Sequence, residues 1–340
     1  MRAALMQRGK IWVDEVATPQ PGPGEVLVKT LACGICGSDL HAAQHTEEFV
    51  ETSREAGGAF KLTTFAPVVL GHEFSAEIVD FGPDTQHTLK PGTVVCSVPV
   101  LSRQPGLPIG YSDEVHGGFA EYFLLSERLL LPVPQGTAAD AAALTEPMAV
   151  GLHAVRKAGL SGHEAVLVLG CGPVGLAVIT ALKAIGIAPI VAADFSTGRR
   201  GFAELQGADS TVDPKIADPF DHADLRKPEN VVIFECVGVP GMLDQVYLGA
   251  PQNARIVVVG VCLQMDHARP LIAVNKELNV QYVLGYSLKE FKETLEFITE
   301  GTFSVQTLIT GRIGLDDVAT AFDALRTPEH HGKIVVQPSA

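Results

Sequence analysis

The run Ala165-Val166-Leu167-Val168-Leu169 passes directly into Gly170-Cys171-Gly172-Pro173-Val174-Gly175, and a helix-like LAVITALKAIG follows. Gly-x-Gly-x-x-Gly between a strand and a helix is a dinucleotide-binding pattern in the context it requires. Gly170 permits the tight turn, Gly172 lets the backbone approach a pyrophosphate, and Gly175 lets the helix pack on the sheet. Pro173 and Val174 complete the loop, and the helix N-terminus offers its N–H groups to phosphate charge. The next strand ends in Asp194, 19 residues beyond Gly175. A carboxylate there accepts hydrogen bonds from both ribose hydroxyls of NAD and repels the extra phosphate of NADP. Arg199 and Arg200 stand close by, and an arginine can receive a 2′-phosphate. The carboxylate faces that phosphate directly, so NAD is the expected cofactor, with Arg199 counted among its contacts.

Outward from the fingerprint, apolar runs alternate with helix-length segments: PIVAA at 189–193, VVIFE at 231–235, RIVVV at 255–259 and VQYVL at 280–284. Near-continuous apolar strands suit a parallel sheet covered on both faces, and the alternation implies βαβ units. The first 130 residues differ. Short runs such as EVLVKTLA, AEIVDFG and TVVCSV are separated by PGPGE, GPDTQ and KPG, which reads as strands joined by turns. An amphipathic LKEFKETLEFITEG and a strand-like KIVVQP end the chain. The expected architecture is α/β: a doubly wound Rossmann domain over 151–287, with a β-rich domain made of 1–150 and 288–340.

Two domains also fit the length of 340 residues. With 46% hydrophobic and 19% charged residues the composition is globular. The net charge of −14 repels phosphate backbones, so nucleic acid is not expected as a partner. No stretch approaches the ~20 apolar residues of a membrane span, and the N-terminus lacks a signal core. Six scattered cysteines argue against a disulfide scaffold and for a reducing, cytoplasmic setting.

The most informative segment is Cys33-Gly34-Ile35-Cys36-Gly37-Ser38-Asp39-Leu40-His41, with Gly71-His72-Glu73 and Glu146-Pro147 further on. At these positions, at the nucleotide fingerprint, and at the C-terminal LITGRIGLDDVATAFDAL, the chain resembles the zinc-dependent medium-chain alcohol and polyol dehydrogenases. The resemblance covers nearly the whole sequence and implies a GroES-like fold for the β-rich domain. It also implies hydride exchange between an alcohol or carbonyl compound and NAD. Zinc takes thiolate, imidazole and carboxylate ligands, and a catalytic zinc keeps one position open. Cys36, His72 and Glu146 match the family's ligands, with glutamate where the horse-liver type has a second cysteine, as in the sorbitol-dehydrogenase type. Glu73 is a second carboxylate beside the metal. Both glutamates together with Cys36 would leave the site net negative, so one is expected to bind directly and the other through water or by exchange. The sequence leaves open which. The resemblance further assigns a proton relay to Ser38 and His41, and to Asp39 the spare N–H of His72.

Cys33 reads as a small buried apolar residue. The remaining histidines, including His45, His116, His153 and the His330-His331 pair, lack ligand spacing. Relatives often carry four cysteines for a structural zinc. The matching stretch here, between Cys96 and His116, has none, so one catalytic zinc per chain and no structural zinc are expected. From Cys36 to His72 the chain runs 36 residues. Phe49, Phe60 and Phe65 in this long segment either wall a substrate pocket or pack an insertion. Its length resembles the butanediol-dehydrogenase branch, which implies a small vicinal diol or hydroxyketone. Family likeness implies a homodimer or homotetramer through the edge of the nucleotide domain. A zinc-free quinone or enone reductase of the same fold would lack Cys36, His72 and Glu146. A non-catalytic nucleotide-binding protein would need neither Ser38 nor His41.

Overall fold

The computed structural model describes residues 1–340 apart from 59, 227–229, 327–330 and 340. The chain divides into two compact units. One comprises Met1–Glu146 with the C-terminal strands Ile309–Ile313 and Lys333–Val336; the other comprises Pro147–Leu308.

In the second unit six parallel strands lie in the order Ser210–Val212, Ile190–Ala193, Ala165–Leu169, Val231–Glu235, Arg255–Val258, Asn279–Tyr282. Numbered along the chain this is 3-2-1-4-5-6, the order of a Rossmann sheet, with the reversal beside the fingerprint strand. Val166, Leu167, Val168, Val232, Ile233 and Phe234 are fully buried, which is why these runs are apolar without alternation. The helix Pro173–Ala184 buries Leu176 through Leu182 and starts on a proline, tolerated there because a first-turn N–H has no helical partner.

The boundary expected at residue 288 differs from the division of contacts, which keeps 288–308 with the nucleotide unit. Side-chain pairing explains the difference. The helix Leu288–Thr299 begins with a capping box between Ser287 and Glu290. Glu290 also meets His153 Nδ1 at 3.0 Å, Glu293 pairs with Arg156, and Gln206 donates to Ser304 O and Thr307 Oγ1 at 3.3 and 2.7 Å. These partners all belong to the nucleotide unit.

The first unit is built around the strand Glu25–Gly34. It pairs antiparallel with Glu73–Phe81, with Tyr122–Ser126 and with Lys333–Val336. Its last residue, Gly34, stands opposite Glu73 on one side and Val335 on the other. Three segments far apart in sequence thus end at one place: the turn after Gly34, the start of Glu73–Phe81, and the start of Lys333–Val336. The stretch without cysteines forms a short hairpin, Val100–Leu101 with Leu107–Pro108. It is tied down by Arg103, whose Nε and Nη2 donate to the buried Glu25 carboxylate at 2.7 and 3.1 Å. Burial works against the Glu25 charge, but Arg103 and the Gly22 N–H outweigh it and hold the carboxyl below its ordinary range.

Glu164, buried just before the fingerprint strand, accepts from the Ser161 N–H and hydroxyl, the Gly162 and His163 N–H groups, and Arg255. Burial opposes its charge, but these donors prevail and hold its pKa at about 2, against an ordinary 4.5. A lowered carboxyl stabilises the fold above its unfolded pKa, and that contribution disappears as pH falls through the folded one. Glu164→Gln should therefore cost about 1–3 kcal/mol at neutral pH in urea unfolding. The gap to wild type should close between pH 4.5 and 2. A gap independent of pH would contradict the charge-based account.

Candidate active site

Cys36 lies just beyond the end of strand Glu25–Gly34 and immediately before the helix Gly37–Gln44. Glu73 opens the neighbouring strand, and His72 immediately precedes it. One donor atom from each of Cys36, His72 and Glu73 lies within 4.8 Å of the others, a grouping able to hold a metal ion. Gly34 makes room for it: a Cβ there would stand 2.1 Å from Glu73 Oε2. The glycine of Cys-Gly-x-Cys is thus required by a carboxylate that lies 39 residues away in the chain.

Sequence reasoning missed the partner of Glu73. Lys333 Nζ donates to Glu73 Oε1 and Oε2 at 2.7 and 2.8 Å and to Ile35 O at 3.1 Å, and both side chains are buried. Burial works against the Lys333 charge, but the charge of Glu73, then of Cys36 and Glu146, prevails and raises its pKa. The available signal was a lysine opening an apolar C-terminal strand, which spacing could not connect to residue 73.

Asp39, fully buried, accepts from the Cys36 N–H at 3.0 Å. Its Oδ1 lies 3.3 Å from His72 Nδ1, but off the line a hydrogen bond needs, so this buried nitrogen has no hydrogen-bonding partner among the described residues. Burial works against a charged His72, but Asp39 and Cys36 outweigh it and raise its pKa well above the ordinary value. Ser38 Oγ donates to Cys36 Sγ at 3.1 Å. His41 follows one turn along the same helix, half-buried, and burial, then His45, lowers its pKa. Glu146 sits in the first turn of the helix Thr145–Lys157 and is absent from the compact donor triad, yet its charge raises both Tyr111 and Lys333. Cys33 is buried, and burial pushes its thiol up.

Of the three phenylalanines in the long segment, Phe65 is 86% exposed. Phe49 and Phe60 stack at 4.7 Å and pack on Tyr111, another residue that sequence reasoning passed over. His330 lies outside the described residues.

In the nucleotide unit, Gly170 has φ +89° and turns the chain tightly against Cys236 and Val237, while a Cβ on Gly175 would strike Gly170 O at 1.8 Å. Among the described residues, only the Arg199 guanidinium comes within 4 Å of a Cβ built on Gly172, so the backbone there is open. Asp194 accepts from the Cys171 and Ser196 N–H groups, both at 2.8 Å, which fixes its carboxylate at the loop. Arg200 is committed to Asp213 at 3.2 Å and to Asp194 O at 2.7 Å. Arg199 instead stands 3.9 Å from Asp194 with a buried Nε that has no partner among the described residues.

The pairing of Glu73 with Lys333 makes a stability prediction. Lys333→Met should leave a buried carboxylate uncompensated and cost about 3–5 kcal/mol in urea unfolding. Lys333→Met with Glu73→Gln should recover most of that loss. Full stability in the single variant would exclude a charged pair.

The alcohol dehydrogenase GroES-like domain family matches residues 22–135, and the zinc-binding dehydrogenase family matches residues 173–300. The chain is 35% identical to (R,R)-butanediol dehydrogenase of Bacillus subtilis (strain 168), over 100% of both chains. It is 28% identical to sorbitol dehydrogenase of Bos taurus, over 93% of this chain and 90% of that one. The crystal structure of 2R,3R-butanediol dehydrogenase from Bacillus subtilis superimposes with a TM-score of 0.84 at 32% identity, covering 99% of each chain. Together with the Rossmann order and the Cys-His-Glu grouping, these matches establish that the chain belongs to the zinc-dependent medium-chain alcohol and polyol dehydrogenases.

Proposed function

We propose that this dehydrogenase acts on a small vicinal diol or polyol, or on the matching hydroxyketone, using NAD and one catalytic zinc held by Cys36, His72 and Glu146. The observation that carries the reading is the convergence of the Cys36 thiolate, the His72 imidazole and the Glu73 carboxylate, a donor set that suits zinc, with Glu146 near enough for its charge to act on Lys333 beside them. The unpartnered Nδ1 of buried His72 fits the same reading. A histidine that binds zinc through one ring nitrogen offers the other to a carboxylate, and Asp39 stands 3.3 Å from it. Lys333 answers the charge objection: two positive charges on zinc and one on lysine match Cys36, Glu73 and Glu146. With both oxygens engaged by Lys333, Glu73 would stand beside the metal, and Glu146 would be the direct ligand.

Bound zinc supplies a Lewis acid for the substrate oxygen, and bound NAD supplies the hydride acceptor. Ser38, adjacent to Cys36, takes up the hydroxyl proton. His41, with its pKa lowered, is neutral at pH 7 and able to receive that proton at the outer end of the relay. Asp39 orients His72. Asp194 and Arg199 would hold the adenosine ribose, and the loop of Gly170, Gly172, Pro173, Val174 and Gly175 would hold the pyrophosphate. The butanediol-dehydrogenase relative, similar along its full length, supports the choice of a small diol.

No helix among the described residues is long and apolar enough to cross a membrane. Six free cysteines support a reducing, cytoplasmic setting. A homodimer or homotetramer is supported by the edge strand Asn279–Tyr282, whose flank exposes Tyr282 and Leu284; sedimentation of the purified protein reads the state directly.

Purified protein should contain about one zinc per chain and reduce NAD with vicinal diols. Cys36→Ala should lose the metal and turnover while retaining NAD binding. Wild-type protein without stoichiometric zinc, or an active Cys36→Ala variant, would overturn the assignment. Asp194→Ala should weaken NAD more than NADP, read from the KM of each cofactor. An unchanged ratio would remove the reason for preferring NAD.

A further inference from the structure

The stretch 97–119, free of cysteines, lies directly on the Gly-His-Glu segment. A Cβ at Gly110 would stand 2.9 Å from Gly71 O, and one at Gly117 2.4 Å from Leu70 O. The N–H groups of Gly117, Gly118 and Phe119 donate to the carbonyls of Val69, Gly71 and Leu70 at 2.9, 2.8 and 3.0 Å. This close backbone contact brings Tyr111 against His72, with ring centroids 4.9 Å apart. Phe60 and Phe49 pack on the same ring at 4.6 and 5.7 Å, and the Lys61 N–H donates to Tyr111 O at 2.7 Å. Thr63, through its N–H at 3.0 Å and its hydroxyl at 2.5 Å, is bound to Asp113 two residues on. Tyr111 is 5% exposed.

The ring is therefore held by packing, and its hydroxyl has a defined aim. It donates to Ser38 Oγ at 2.7 Å, with Asp39 Oδ1 3.3 Å from the same oxygen. Ser38 in turn donates to Cys36 Sγ at 3.1 Å. A serine hydroxyl has one proton and two lone pairs. With the proton on Cys36 and one lone pair taken by Tyr111, a single lone pair of Ser38 stays open.

We propose that Tyr111 is a positioning residue of the metal centre, whose hydroxyl holds Ser38 beside the Cys36 sulfur and leaves one Ser38 lone pair for the substrate hydroxyl; as Ser38 takes the substrate proton on that lone pair, it releases its own proton from the sulfur toward His41. Hydrogen bonds in such a chain polarise one another, so the Tyr111 hydroxyl also strengthens the bond that Ser38 makes to the thiolate. The long segment 46–65 gains a purpose: Phe49, Phe60 and Thr63 clamp the tyrosine and its loop.

The proposal rests on the reading of Cys36 as a metal ligand and Ser38 as the proton acceptor. The test uses cobalt(II) in place of zinc, because its thiolate charge-transfer band reports on Cys36 without turnover. Tyr111→Phe keeps the ring and removes the hydroxyl. Its band should shift from wild type, in the direction that Ser38→Ala shifts it. The double variant should match Ser38→Ala alone, because Tyr111 acts through Ser38. In the zinc form kcat should fall about ten-fold with little change in KM. Tyr111→Leu removes the ring as well. If Tyr111→Phe keeps the wild-type band and kcat while Tyr111→Leu loses both, the tyrosine serves as packing and the proposal fails. It also fails if the Tyr111→Phe and Ser38→Ala shifts add in the double variant. Absence of cobalt uptake by wild type is a separate result, and it overturns the metal reading itself.

Discussion

A carboxylate with no exposed surface keeps its charge only where a cation and hydrogen bonds replace water. Glu73 meets that condition through Lys333, and the rest of the metal centre is arranged around the pair. The pair exists because Glu73–Phe81 and Lys333–Val336 flank the same strand, and because Gly34 at the end of that strand has no side chain. Cys36 follows Gly34 by two residues and His72 precedes Glu73 by one. Formation of the donor cluster is thus coupled to closure of the sheet by the last strand of the chain.

Between Cys96 and His116 the chain has no thiols. The loop is held by Arg103 on Glu25, by N–H hydrogen bonds to the carbonyls of Val69, Leu70 and Gly71, and by aromatic packing around Tyr111. The glycines at 110 and 117 make the approach close enough that the loop presents a hydroxyl to Ser38 as well as covering the backbone.

Much of this was legible in advance. The strands Ala165–Leu169 and Val231–Glu235 coincide with their apolar runs, because strands buried on both faces leave an unbroken hydrophobic signal. The strand Ser210–Val212 escaped notice: three residues between Asp209 and Asp213 at a sheet edge carry too little pattern. The helix Leu288–Thr299 was visible as an amphipathic segment, but its membership of the nucleotide unit depends on His153, Arg156 and Gln206, which no local pattern links to it. Phe49, Phe60 and Phe65 looked equivalent in sequence; the fold buries the first, stacks the second on it, and leaves the third in solvent.

The nucleotide loop is a local device. Gly170, Gly172 and Gly175 act through backbone space within six residues, and Asp194 is reached by one helix and one strand, so spacing alone announces them. The α/β architecture was legible in the alternation of apolar runs, and the family, with Cys36, His72 and Glu146 as expected donors, in the resemblance of the motifs around them. Lys333 and Tyr111 do not. Lys333 reaches Glu73 across 260 residues of sequence and Tyr111 reaches Ser38 across 73, through pairing of strands and contact of glycine backbones. Such contacts leave no spacing to read, because their geometry is set by packing between segments and not by the conformation of either one.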